Sequence, residues 1–191
     1  MCLSSIIVVS GLPRSGTSLM MQMLAAGGVA ILTDHRREAD DDNPRGYYEL
    51  EAVKQTRRDP SWLAGAAGKA VKLVHLLLYD LPSDRRYRVI VMRRDMDEVI
   101  ASQQKMLAHA GKQGGNLPAA AMKRVLGDQL NKAMAYLGSQ ANVECIEISY
   151  NDLLRDPATA AGQVAEFAQL GADAAERMAA VVDPNLYRNR A

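Results

Sequence analysis

The chain has 191 residues, 48% of them apolar, and a net charge of +1 from 23 basic and 22 acidic residues. That length suits one domain with a proper core, and the near-neutral balance excludes a global field drawing it to nucleic acid or an anionic membrane, so any anion recognition is local. Two cysteines, Cys2 and Cys145, indicate no disulfide framework. No run approaches the 18 or so apolar residues of a membrane span and no basic leader precedes the first apolar run, so the expectation is a soluble cytoplasmic protein.

The first element carries the strongest signal. Ile6 to Val9 is a β-branched run that breaks at Ser10-Gly11, crosses a turn rich in Gly, Pro and Ser, and re-emerges at Thr17 with apolar residues Leu19, Met20, Met23 and Leu24 at helical spacing. A strand feeding a glycine loop that opens a helix aims unpaired backbone N–H groups and the positive end of the helix dipole at one point, where a phosphate or sulfate can sit. Gly11-Leu-Pro-Arg-Ser-Gly16-Thr17-Ser18 has the spacing of a P-loop, but Thr17 stands where a nucleoside-triphosphate enzyme needs its lysine. The loop's cation is Arg14, whose planar fork suits bidentate oxyanion contacts. An ordinary ATPase or GTPase is disfavoured.

Further along, Val29 to Leu32 reads as a second strand, and Thr33 to Gly46 as a long polar loop ending in an Asn43-Pro44-Arg45-Gly46 turn. Tyr47 to Arg58 is a candidate helix, Ala70 to His75 and Arg88 to Met92 are strands, Asp95 to Lys112 is a helix, and a second long helix covers about Ala119 to Leu137. Val143 to Ser149 is the fifth strand, followed by helical segments near Ala158 to Leu170 and Ala172 to Val182. Strands alternating with helices predict an α/β fold, a single-domain doubly wound parallel sheet of about five strands, P-loop-like, over residues 1–191. Ligands bind beyond the carboxyl ends of such strands, which is where Arg14, His75, Arg94 and Tyr150 fall. The 33–66 and 108–118 segments would cap that crevice.

PRSGTS after a hydrophobic strand resembles the 5′-phosphosulfate loop of the sulfotransferase family, and Arg14, Ser15, Gly16, Thr17 and Ser18 match it. RDMDEVIAS is similar to the family's 3′-phosphate motif at Arg94, Asp95, Val99 and Ser102, with Met96 in place of the usual proline. KLVHLLLYDLP resembles the family's KTHLPxxLLP: His75 stands seven residues before Pro82, while Lys72 lies three before the histidine rather than two. SYNDLLRDP resembles the segment whose tyrosine touches adenine, here Tyr150, whereas Leu19 replaces a stacking tryptophan.

The resemblance implies transfer of a sulfonate from 3′-phosphoadenosine 5′-phosphosulfate (PAPS) to a hydroxyl or amine of a small-molecule or peptide acceptor, releasing the bisphosphate PAP. It implies cofactor contacts from Arg14, Ser15, Gly16, Thr17, Ser18, Arg94, Ser102 and Tyr150, catalytic roles for His75, Arg14 and Lys72, and no metal. His75 is the first candidate for the base, with Glu49 and His35 as others; the Asp40-Asp41-Asp42 run is a poor coordination sphere because consecutive carboxylates in a loop do not fix one. Arg188 and Arg190 of the tail are candidate extra cofactor contacts, and Trp62 either lines the acceptor pocket or anchors its loop. Two alternatives stay open: a P-loop phosphotransferase using ATP and magnesium, and an inert nucleotide-binding module. Neither the acceptor nor the oligomeric state is legible here.

Overall fold

The computed structural model describes residues 5–40, 43–109, 111 and 117–183. Its sheet has five strands, β1 (Ile6–Gly11), β2 (Ile31–Leu32), β3 (Ala70–Lys72), β4 (Tyr87–Arg93) and β5 (Val143–Ser149), all parallel, in the order β2-β3-β1-β4-β5. The helices are α1 (Thr17–Ala26), α2 (Met96–His109), α3 (Ala119–Gly138), α4 (Tyr150–Arg155), α5 (Pro157–Phe167) and α6 (Ala172–Ala180). The chain belongs to the doubly wound α/β class that the alternating pattern predicts.

Strand β1 is buried at every residue because it lies between β3 and β4 with helices over both faces. Its side chains alternate: Ile7 and Val9 pack with α1, α5 and α6 through Met20, Leu24, Val164 and Met178, while Ile6 and Val8 pack with Leu130, Ala133 and Leu137 of α3. An unbroken apolar run is what a two-sided parallel strand requires, since neither face meets water.

Strand order reverses around β1. From it the chain first builds β2 and β3 on one side, then β4 and β5 on the other, opening a crevice at the carboxyl ends. Each of the four longer strands delivers a residue there: β1 runs into the glycine loop, β3 ends at Lys72, β4 at Arg93 just before Arg94, and β5 at Ser149 just before Tyr150.

Element boundaries differ from the expectation in three places. Strand β3 stops at Lys72, paired with Val9, and the chain turns into a 3-10 helix over His75–Asp80 after one more bond, Leu73 N–H to the Val9 carbonyl. Only Glu51–Gln55 of the Tyr47–Arg58 stretch is helical, as one 3-10 turn: Tyr48 has φ of 54° and Leu50 is extended, so no α-helix can start earlier. The helix expected near Ala158 is present as α5, but a further helix, α4, precedes it from Tyr150, with Ser149 capping it by accepting from the Asp152 N–H.

Leu24 is fully buried in the α1 face of the core. Leu24→Ala is expected to cost about 2–5 kcal/mol, read as a lower urea midpoint with an unchanged slope.

Candidate functional site

The glycine loop is held open by backbone conformation. Gly11, Arg14 and Gly16 have φ of 149°, 74° and 96°, so a non-glycine residue in the middle of the loop sits in the left-handed region. A Cβ at Gly16 would run into the Tyr150 ring, and one at Gly11 would stand 2.5 Å from Ser15 Oγ and 2.7 Å from the Met92 carbonyl, so neither glycine tolerates a side chain. Gly16 caps α1 without any side-chain hydrogen bond, which leaves the first N–H groups of the helix for a ligand.

Arg14 and Arg94 meet across this loop. The Arg14 Nε donates to Ser102 Oγ at 2.9 Å, and Arg94 Nη1 donates to the Arg14 carbonyl at 3.0 Å. Arg94 is backed by Glu98, Nε to Oε2 at 2.8 Å, with side chains only 7% and 3% exposed. Asn151 donates to the other Glu98 oxygen at 3.1 Å and accepts from the Asp95 N–H at 3.1 Å, and the Arg94 guanidinium stacks 4.7 Å from the Tyr150 ring centre. One buried carboxylate thus joins the glycine loop, the β4–α2 junction and the start of α4.

The other half of the site comes from β3 and the polar segment after β2. Lys72 Nζ donates to the Tyr47 carbonyl and pairs with Glu49 Oε1 at 3.4 Å. Burial, the largest influence, lowers the Lys72 pKa from its ordinary value, against the opposing attraction of Glu49. Arg37 lies 3.4 Å above the Tyr47 ring centre and 3.3 Å from Glu49 Oε1, and the Tyr47 hydroxyl donates to both Asp40 oxygens at 2.7 and 2.8 Å. Burial first and this hydrogen bond second push the Tyr47 pKa up to about 12, so the phenol keeps its proton as a structural donor.

These groups enclose a cavity of about 260 Å³ whose lining includes six cations, Arg14, Arg37, Arg45, Lys72, Arg94 and Lys105, against two carboxylates, Glu49 and Asp183. Gly16, Thr17, Ser18, Ser102 and Tyr150 also line it. A concave, strongly positive site at the carboxyl edge of a parallel sheet is built for a polyanion.

The structure sorts the residues singled out from sequence. Arg14, Gly16, Thr17, Ser18, Lys72, Arg94, Ser102 and Tyr150 all reach the cavity. Ser15 does not: its side chain is buried under the loop against Gly11, and its N–H closes the turn onto the Leu12 carbonyl at 3.1 Å. The Ser18 hydroxyl accepts from Asn43 Nδ2 at 3.0 Å, so it fastens the capping segment as well.

His75 stands outside the cavity lining. It is buried in the 3-10 helix after β3, with Nε2 against Gln129 Oε1 of α3 at 3.1 Å. The early end of β3 causes this, since the 3-10 turn swings the histidine toward α3. His35 is on the exposed loop and does not line the cavity, whereas Glu49 does. Trp62 anchors its own segment through Nε1 to Thr56 Oγ1 at 2.9 Å. Asp41, Asp42, Arg188, Arg190 and most of the 110–116 stretch fall outside the described residues.

Glu98, Asn151, Arg37 and Tyr47 were not foreseen. Glu98, in the first turn of α2, is four residues after Arg94, which precedes the helix, and that spacing offers a signal. Arg37 and Tyr47 sit in a stretch without periodicity and offer none.

The chain belongs to the sulfotransferase domain family: that family's model matches residues 4–185. Solved structures with this fold include the sulfotransferase domain from the curacin biosynthetic pathway, with 16% identity, a TM-score of 0.54, and coverage of 98% of this chain and 87% of that one. The sulfotransferase STF1 of Mycobacterium tuberculosis H37Rv has 16% identity and a TM-score of 0.58 over 95% of this chain and 72% of its own. Mouse sulfotransferase SULT7A1, complexed with PAP, has 14% identity and a TM-score of 0.52 over 98% of this chain and 66% of its own. No curated protein matches the sequence. The chain is accordingly a transferase, and no helix among the described residues is long and apolar enough to cross a membrane.

Two outcomes follow from the buried charges. Glu98→Ala removes the buried carboxylate paired with Arg94 and is expected to cost about 3–5 kcal/mol by denaturant melt. Lys72 has a lowered pKa in the fold, so the unfolded chain binds its proton more tightly, and between the folded pKa and about 10.4 the wild type gains stability as pH rises. The difference in urea midpoint between wild type and Lys72→Met should shift in favour of the wild type as pH is raised through that window.

Proposed function

We propose that the protein transfers a sulfonate from PAPS to a hydroxyl or amine acceptor. The observation that carries this reading is two linked cations on one cavity, Arg14 of the glycine loop, whose Nε holds Ser102, and Arg94 after β4, which holds the Arg14 carbonyl, in a family whose members are sulfotransferases. The residues fit such a donor: the glycine loop runs straight into α1, whose first N–H groups have no side-chain cap, and Arg14 and Arg94 line the same cavity.

When bound, PAPS supplies an activated sulfonate. The loop amides, Arg14 and Thr17 would hold its 5′ end, Arg94 and Ser102 its 3′-phosphate, and Tyr150 would lie by the adenine. Ser102 has its hydroxyl on Arg14 and Arg94 has an edge on the Arg14 carbonyl, so the two anion subsites are set at a fixed distance before any ligand arrives.

Glu49 is the base in this reading. It lines the cavity beside Lys72, while His75 is turned away against Gln129. With a donor bound, Glu49 would take the proton that the acceptor hydroxyl or amine gives up as its oxygen or nitrogen bonds to sulfur, the electron pair of the broken sulfur–oxygen bond leaving with PAP. Lys72 and Arg14 would stabilise negative charge growing on the sulfonate and bridging oxygens.

The competing phosphotransferase reading lacks the loop lysine, since Thr17 holds its position. Calorimetric titration separates the readings. PAP should bind at least tenfold more tightly than AMP, a gap of about 1.4 kcal/mol or more, and the gap should close in Arg94→Ala. Binding of ATP with magnesium but not PAP would overturn the proposal. With an acceptor that supports turnover, Glu49→Gln should lower kcat about 10²–10⁴-fold while leaving PAP affinity within about twofold. A loss in His75→Asn with Glu49→Gln spared would return the base to His75.

A further inference from the structure

The α2 side of the cavity bears on which acceptor is taken, an inference that rests on the transfer reading above. Helix α2 walls that side with one face, where Ser102, Lys105, Met106 and His109 follow at three- and four-residue spacings and all line the cavity. The opposite wall is the segment carrying Arg37 and Glu49. The two walls touch where Arg37 Nη2 comes within 4.0 Å of Met106 Sδ, next in sequence to Lys105 and one turn before His109. Arg37 thus touches the residue next in sequence to Lys105, both cations line the cavity, and the same guanidinium is 3.3 Å from Glu49.

Charge on this side does not balance. Glu49 is already set between Arg37 and Lys72, and as the base it must accept a proton during each transfer, which removes its charge when the neighbouring cations most need it. Lys105 has neither a hydrogen bond nor an ion pair among the described residues. The other cations have work at the donor end or in the scaffold: Arg14 bonds Ser102, Arg94 pairs with Glu98, and Arg45 pairs with Asp183 at 3.2 Å. Two cations lining one concave surface raise its positive potential and draw in an anion.

We propose that the acceptor carries an oxyanion group, a carboxylate or its phosphate or sulfate equivalent, held between Arg37 and Lys105. Arg37 links the two functions: one edge of its fork faces Glu49, so an acid bound on its other edge brings a nearby hydroxyl or amine of the same molecule to the base. Val74 and Met106 line the same cavity, so the body joining acid to hydroxyl meets apolar surface. A neutral alcohol would leave Lys105 without a counter-charge and would be a poor acceptor.

The test uses the full chain saturated with PAPS, and probes that lack a hydroxyl or amine nucleophile and so cannot be sulfonated. Phenylacetate and butyrate are titrated against phenylacetamide and butyramide, in wild type and in Lys105→Met. Lys105 is exposed, so the variant keeps the fold. The expected result is that each acid binds at least tenfold more tightly than its amide, that the preference drops below about threefold in Lys105→Met, and that PAP affinity in the variant stays within about twofold of wild type. Equal binding of acid and amide, or no binding of either, overturns the proposal. A tenfold loss of PAP affinity in Lys105→Met also overturns it, because Lys105 would then belong to the donor site. Failure of the wild type to bind PAP sinks the transfer reading instead, and the acid–amide comparison is then read on the free protein.

Discussion

The buried ion pair between Arg94 and Glu98 is the constraint on which the site's geometry depends. A charged pair this deep is costly to desolvate, and it persists because every remaining polar edge finds a partner: Asn151 on the second Glu98 oxygen, the Arg14 carbonyl on an Arg94 nitrogen, and the Tyr150 ring on the guanidinium face. The consequence is mechanical. The glycine loop after β1, the start of α2 after β4 and the start of α4 after β5 are separate in sequence, and all three are tied to one carboxylate. The left-handed Arg14 backbone fits the same picture, since that conformation turns its carbonyl toward Arg94 and is held there by the bond it accepts.

The sheet explains why these pieces can meet at all. A parallel sheet with its order reversing around β1 sends every strand's carboxyl end to one edge, so four chain segments deliver their next residues to a single crevice. Packing on both faces fixes those ends: Met20 and Leu24 of α1 lock one side of β1, and Leu130 and Leu137 of α3 lock the other. The positive cavity is then closed by the segment after β2, whose Arg37, Tyr47 and Glu49 have no regular secondary structure and are held by mutual contacts.

Much of this was legible in the chain. The apolar run into Gly11 and the re-entry at Thr17 specify strand, loop and helix through local rules, and the spacing of Arg94 and Ser102 places both on one side of a helix. Those are short-range signals, and the structure brings their residues together. His75 shows where such signals end. The direction of its ring depends on how far β3 pairs with β1, a long-range fact that alternation of apolar residues does not encode, so a strand read to His75 stops at Lys72. The closure of the site by Arg37 and Tyr47 was illegible for the same reason: their partners, Met106 and Asp40, are chosen by tertiary placement. Glu98 lies between these cases, with helical spacing from Arg94 but a burial that only the fold confers.

The buried pair ties the glycine loop to the β4–α2 side of the cavity. A double-mutant cycle on PAP affinity, combining Arg14→Ala with Glu98→Gln, addresses it most directly, because neither substitution removes Arg94 itself. A coupling of about 0.5–3 kcal/mol between the two positions is expected, because Glu98 acts through Arg94 and the Arg14 carbonyl on the loop backbone from which the Arg14 side chain reaches the cavity. Effects that add to within about 0.3–0.5 kcal/mol would contradict it, and would make the loop and the β4–α2 side independent anion sites that happen to share a cavity.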